Sequence, residues 1–406
     1  MNCDNNNLIS VEQALTLMFQ QIKKTSITEK VPLNLAINRV LASDIVSQVN
    51  NPPHNNSAMD GYALSAASPD AEVYHCVDQI YAGKPTVKKI LSGQCARIMT
   101  GAVVPETCDR VVMQENIEIL QDGSIKLRQP VEKRANIRFA GEDIAIGDTV
   151  LKANKKLSAT DIGLLATLGI SEVQAYKKIK VGILTTGDEL KPAGSELDTG
   201  QIYDSNRPML LAFLQSHHFD VEDLGIVADD PNQIRQAILH LAQTCDAIVT
   251  SGGVSVGDAD YTGQVLQELG TVGFWKLAMK PGKPFSFGRI EQSYFFGLPG
   301  NPVSAAVTFE QLALKGLSKL AGLELHEDKY LQLPLKGTLK KRAGRQDYQR
   351  GILLYQGNCI SAVCSAGMQS SGALSALAHS DCLIVIPREE GNKHEGDIVN
   401  VIVKKI

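Results

Sequence analysis

Residues 178–190 read KIKVGILTTGDEL and residues 247–261 read AIVTSGGVSVGDADY. Each starts as a short apolar run, as expected of a strand covered on both faces, and ends in glycine, hydroxyl and carboxylate residues. Between them NRPMLLAFLQSHHF reads as a helix, VEDLGIV as a strand and PNQIRQAILHLAQTC as a second helix. Beyond them YTGQVLQELG and PVSAAVTFEQLALKGLSKLAG are helical, the latter after the strand-like FFGL. Strands alternating with helices imply a three-layer α/β/α domain with a mostly parallel sheet, placed at residues 178–327.

Outward from this domain the grammar changes. Ser10 and Gln13 form the signature of a capping box, and Val11, Ala14, Leu15, Met18, Phe19 and Ile22 recur at helical spacing. Two consecutive prolines, Pro52 and Pro53, hold the following segment extended. From about residue 73 to 150 short β-branched runs alternate with Gly, Pro and Asp, including the turn Asp122-Gly123, which is the pattern of a β module. Ser158 caps another helix that Gly169 closes. Residues 47–146 therefore read as a β-rich domain inserted into an elongated α+β domain formed by 8–46 and 147–177. After residue 327 short β segments return, giving a C-terminal β domain at 328–406. The fold class expected is multidomain α/β plus β.

Composition excludes several functions. A net charge of −4 argues against coating nucleic acid, and 5% aromatic residues with one Trp argue against base-stacking platforms. The eight cysteines include no CxxC pair and read as buried free thiols of a reducing compartment. No apolar run is long enough to span a bilayer, and MNCDNNNLIS lacks the features of a signal peptide, so a cytoplasmic protein is expected.

In parallel sheets ligands sit beyond the C-terminal strand ends, where loops expose amides and helix N-termini. The first such loop offers Thr185, Thr186, Gly187, Asp188 and Glu189; the second offers Ser251, Gly252, Gly253, Ser255, Gly257, Asp258 and Asp260. Successive glycine amides form an anion nest. Carboxylates beside it repel a phosphate unless a cation intervenes, so Glu189, Asp229 or Asp230, and Asp260 are candidate Mg2+ ligands. Asp230, before Pro231, reads as a helix cap. MKPGKPFSFG holds Lys280 and Lys283 near Lys276, and its prolines and glycines point to a fixed electropositive clamp. In LPGNPVSA, which holds Pro299, Asn301 is a candidate cap and Pro302 falls at the first helical position, leaving free amides for an anion. Elsewhere Asp60, Thr100 and Asp143 lie in NNSAMDGYA, RIMTGA and FAGEDI. No GxSxG elbow occurs and no histidine stands in these loops, so a serine hydrolase finds no support.

Taken together, PPHNNSAMDGYAL, RIMTGAVVPETCDRVVMQE, IRFAGEDI, TTGDEL, GQIYDSN, SGGVSVGDADY, KPGKP and LPGNPVSA resemble the molybdopterin molybdenumtransferase family, the MoeA and gephyrin E-domain proteins. GRQDYQRG and MQSSGALSALA extend the resemblance towards the C-terminus, and His54-Asn55 is a local departure from it. The resemblance implies a transferase of molybdenum cofactor biosynthesis that inserts molybdate into adenylylated molybdopterin with Mg2+-dependent release of AMP. It further implies a homodimer, contact with other molybdenum-cofactor biosynthesis proteins, and a cleft shared between subunits. In that reading Glu189, Asp229 and Asp260 hold Mg2+ or orient water, and Lys276 and Lys280 neutralise the pyrophosphate. Arg350, Ser371 and the Asp60 loop bind molybdate or close the cleft, with Thr100 and Asp143 in the same set. A molybdopterin adenylyltransferase, or another nucleotide-processing enzyme on the same α/β domain, is the alternative. A receptor scaffold is the reading from another class.

Overall fold

The structure, a computed structural model, describes residues 8–252, 261–325 and 328–404. These fall into two compact units, one drawn from Met1–Glu29, Asn38–Val40 and Tyr176–Ile406, the other from Lys30–Ile37 and Leu41–Ala175.

The first unit contains a six-stranded sheet in the order Asp220–Val227, Lys180–Thr186, Ala247–Ser251, Ser293–Leu298, Pro284–Ile290, Gly270–Lys276. The first four strands run parallel and the last two are added antiparallel. Alternate residues of one strand serve different cores. Val181 and Ile183 pack with Leu210, Leu214 and Val303, whereas Leu184 packs with Ile234, Ile238 and Leu266. Helices thus cover both faces, which is why these strands are apolar at nearly every position.

The helix Val11–Gln21 forms with the expected capping box, in which Gln13 N–H donates to Ser10 Oγ and Ser10 N–H to Gln13 Oε1. Its place differs from the expected 8–46 domain. Val11, Ala14, Met18 and Ile22 share the core of Phe296, Leu312 and Leu317, so the apolar stripe is buried against the α/β domain. An amphipathic pattern reveals that a helix needs a partner, not which one.

In the same unit the C-terminal strands close on themselves. Gln346–Gln356 pairs with Cys359–Ser365 on one side and with Cys382–Ile386 on the other. Leu331–Lys336 and Ile398–Val403 complete the ring. Closure leaves this small barrel without a free edge, and Leu335, Val363, Ile384 and Val401 fill it. One further segment, Met279–Lys280, runs parallel to Gln346 and Asp347.

The second unit has a six-stranded sheet ordered Cys108–Met113, Gly61–Ser65, Gln94–Ile98, Val73–Ile80, Ile125–Leu127, Ile117–Ile119. The Asp122-Gly123 turn joins its last two strands as a hairpin, with Ser124 N–H donating to Asp122. A separate core is drawn from both flanks of that sheet in sequence: Val31, Ala36 and Leu41 with Leu151, Leu165 and Val173. The helix Ala159–Thr167 carries a capping box between Ser158 and Asp161. Among the described residues no helix is long and apolar enough to cross a membrane.

Candidate active site

At the C-terminal ends of the parallel strands of the first unit lies a cavity of about 1040 Å³. Thr186, Gly187, Glu189, Asp229 and Gly252 form one side of it. Lys280, Lys283 and Arg345 bring positive charge, and Pro299, Gly300, Asn301 and Ser304 with Gln369 to Ser371 add to the lining, from which Pro302 is absent.

The strand-end side is shaped by bonds beneath it. Thr185 Oγ1 donates to the buried Asp204 carboxylate at 2.9 Å, so of the two threonines only Thr186 faces the cavity. Asn206 Nδ2 donates to Ser251 Oγ and to the Gly300 carbonyl, both at 2.8 Å. Ser251 Oγ in turn donates to the Pro299 carbonyl at 3.1 Å. The Ser251 hydroxyl, expected to bind an anion, is therefore engaged in holding the Pro299–Gly300 turn, and Ser251 is absent from the lining. Gly252 has φ +93, and a Cβ there would stand 2.9 Å from the Thr186 carbonyl, so only glycine lets the two loops meet this closely.

The acids differ in their engagement. Asp230 caps the helix Pro231–Thr244 through the amides of Asn232 and Gln233, as expected. Asp188 accepts the Asp229 amide at 3.0 Å. The Glu189 carboxylate, beside Gly187, has no hydrogen-bond donor among the described residues. Gly253, Ser255 and Asp260 lie outside the described residues.

The cationic side rests on the barrel. Lys280 Nζ stands 3.7 Å from Asp347, whose side chain is only 3% exposed. Gly282, with φ +107, turns the chain against Thr308 Oγ1, leaving no room for a Cβ. Lys283 Nζ and the Arg345 guanidinium have no partner among the described residues and both line the cavity. Within GRQDYQRG nothing local distinguishes Arg345 as a site residue. Its signal would have been the parallel pairing of Lys280 with the residues just after it. Lys276 is exposed and outside the lining.

The Asn301 side chain makes no capping bond, and Pro302 stands at the first helical position. The Val303 amide, expected to be open to an anion, instead donates to the Ser371 carbonyl at 3.1 Å. Ser371 is held close by this bond and lines the cavity. Arg350, 1% exposed, does not line it; its Nη2 donates to the Met368 and Ser370 carbonyls at 3.1 Å each. Burial pushes the Arg350 guanidinium below its ordinary range, and its Nε finds no acceptor. Arg350 thus shapes the 368–371 loop.

In the second unit the Asp60 and Thr100 motifs meet. Asp60 Oδ1 accepts both the Thr100 amide and hydroxyl at 2.7 Å, which holds this carboxyl below the usual range. Asp143 Oδ2 accepts Asn51 Nδ2 at 2.8 Å.

Comparison with known proteins agrees with this architecture. Residues 9–169 match the family described as MoeA N-terminal region (domain I and II), 182–319 the probable molybdopterin binding domain, and 332–404 the MoeA C-terminal region (domain IV). The chain is 41% identical over 396 residues to a molybdopterin molybdenumtransferase of Haemophilus influenzae, covering 97% of this chain and 98% of that protein. It is 31% identical to a gephyrin of Dictyostelium discoideum over 98% of this chain and 62% of that longer protein. A solved structure of the molybdopterin biosynthesis moeA protein from Pyrococcus horikoshii OT3 superposes with a TM-score of 0.85 at 27% identity, covering 98% of this chain and 100% of that one.

Proposed function

Because the chain belongs to the molybdopterin molybdenumtransferase family, and so to the transferases of molybdenum cofactor biosynthesis, we propose that its 1040 Å³ cavity receives adenylylated molybdopterin and molybdate. The observation carrying this reading is the cavity's division into a carboxylate side and a cationic side, with hydroxyl and amide donors between. A pterin pyrophosphate presents phosphate oxygens to Lys280, Lys283 and Arg345, which neutralise it and fix its direction. Thr186, Ser304 and Ser371 offer hydroxyls of the kind a tetrahedral oxyanion accepts.

Magnesium suits this donor set. Mg2+ takes one or two carboxylates and completes its shell with water and phosphate oxygens. Glu189 and Asp229 line one cavity, and the Glu189 carboxylate has no donor among the described residues. No group of three or more His, Cys, Asp or Glu among the described residues encloses a metal, so the donors fit an ion shared with a ligand better than a protein-only cage. Held by Glu189 and Asp229, the ion would neutralise pyrophosphate charge and lower the pKa of nearby water. Glu189 then orients the water that attacks the adenylyl phosphorus and accepts its proton at Oε1 or Oε2. The bond from the adenylyl phosphorus to the bridging oxygen breaks, the lysines and Arg345 hold the molybdopterin phosphate that departs with that oxygen, and AMP leaves carrying the oxygen of the water. Asp60, Thr100 and Asp143 belong to the same reading through their motifs, with the active assembly a homodimer.

Molybdopterin adenylyltransferase is not favoured, because the matched family regions include 9–169 and 332–404 as well as the pterin-binding domain. Purified protein given adenylylated molybdopterin, Mg2+ and molybdate is expected to release AMP. Adenylylation of molybdopterin from ATP, with no AMP release from the adenylate, would overturn this reading.

A further inference from the structure

The second unit carries a pair of cysteines that the chemistry above does not use. Cys76 lies on the strand Val73–Ile80 and Cys95 on Gln94–Ile98. The two strands are parallel neighbours, and Cys76 and Cys95 are partners in their register, just before a bulge between Cys76 and Asp78. Partnered residues of adjacent strands project on the same face. Tyr74, two positions before Cys76, and Cys95 share one apolar cluster with Leu64 and Val112. The Cys76 thiol donates to the Asp78 carbonyl at 3.5 Å, which holds it beside the bulge while its register partner Cys95 lies across the strand pair.

Their surroundings are unequal. Cys95 is fully buried, while Cys76 is exposed, contrary to the expectation that the cysteines are buried. Around Cys76, the Cys95 thiol, the Arg97 amide and the Arg97 charge favour the anion, and Asp78 is engaged by Thr86 and Lys88. The Cys76 thiol is consequently lowered to about 6, against burial, whereas Cys95 is pushed far up by the adjacent Cys76 sulfur and by burial. An accessible thiolate beside a second thiol that water does not reach is the arrangement of an oxidisable cysteine with a resolving partner.

We propose that Cys76 and Cys95 are a peroxide-responsive dithiol, oxidised through a Cys76 sulfenic acid to an intramolecular disulfide. The Cys76 thiolate attacks one oxygen of hydrogen peroxide, the O–O bond breaks, and hydroxide leaves. The Cys95 sulfur then attacks the Cys76 sulfur, the S–O bond breaks, and the departing hydroxide takes the Cys95 proton to give water. The two thiols are oxidised to one disulfide, and one peroxide is reduced to two waters.

Cys359 is an internal reference, an exposed thiol whose register partner is Gln356. Reduced full-length protein is treated with equimolar hydrogen peroxide, then unfolded, alkylated with N-ethylmaleimide and digested for mass spectrometry. Cys76 and Cys95 are expected to escape alkylation together as a cross-linked peptide pair that dithiothreitol separates, while Cys359 remains alkylated. With Cys76→Ser, a surface change, Cys95 is expected to stay reduced. With Cys95→Ala, Cys76 is expected to stop at a sulfenic acid trapped by dimedone. Loss of Cys76 without a Cys76–Cys95 cross-link in the native sequence would overturn the proposal. Consumption of Cys359 ahead of Cys76 would do the same.

Discussion

On one side of the cavity Glu189 and Thr186 follow a strand end fixed from below by the side chains of Asp204, Asn206 and Ser251. On the other, Lys280 and Lys283 sit on a loop fixed by backbone pairing to Gln346 and Asp347 and by close packing of Gly282 on Thr308. Polar side chains thus shape the acidic side, and chain pairing with glycine shapes the basic side. On each side some of the groups facing inward are left unengaged by that support, while Lys280 is paired with Asp347. Glu189, Lys283 and Arg345 keep their charged ends free among the described residues, whereas Ser251, Asp204 and Arg350 are engaged in holding loops.

The comparison breaks most sharply at Glu189. Glu189→Gln keeps shape and removes charge, and AMP release should fall by about a hundred-fold or more at unchanged folding, a loss typical of removing one transition-state group. Single-turnover assays with thermal melts check this. Next in size is Asn206→Ala, which removes both donors from Ser251 and Gly300. It is expected to cost about 1–3 kcal/mol in urea unfolding, because buried acceptors lose their partner. Lys283→Ala should raise KM for the adenylylated substrate about tenfold with a smaller change in kcat, since it acts on bound phosphate in both ground and transition states. The smallest effect is expected of Asp347→Asn, which leaves Lys280 charged but unanchored. A KM rise of about threefold, with Tm within a few degrees of the parent, distinguishes positioning from structural loss.

The three-layer domain was legible because strands covered on both faces are apolar throughout and their helices are periodic. Two of its strands were not read: Gly270–Lys276 and Pro284–Ile290 carry internal glycine and join antiparallel, so they lack the alternating strand–helix signature. Barrel closure was equally hidden, since pairing Gln346–Gln356 with Cys382–Ile386 is a non-local choice. In the site, the glycine-bearing strand ends and the lysine loop announced themselves by composition. Ser251 misled because a hydroxyl beside glycines looks free until the direction of its side chain is known. Arg345 escaped because only the parallel pairing of Met279–Lys280 brings it to the cavity. The Val303 amide looked open because nothing local reveals that a loop about seventy residues later supplies its acceptor, Ser371.

Single-turnover release of AMP from adenylylated molybdopterin, with and without Mg2+ and molybdate, tests the central claim most directly. The native chain should release AMP only with Mg2+ present and transfer molybdate in the same turnover. Glu189→Gln should bind the adenylylated substrate with undiminished affinity yet release AMP about a hundred-fold more slowly. Equal rates for the two proteins, with both folded and substrate-bound, would contradict the account.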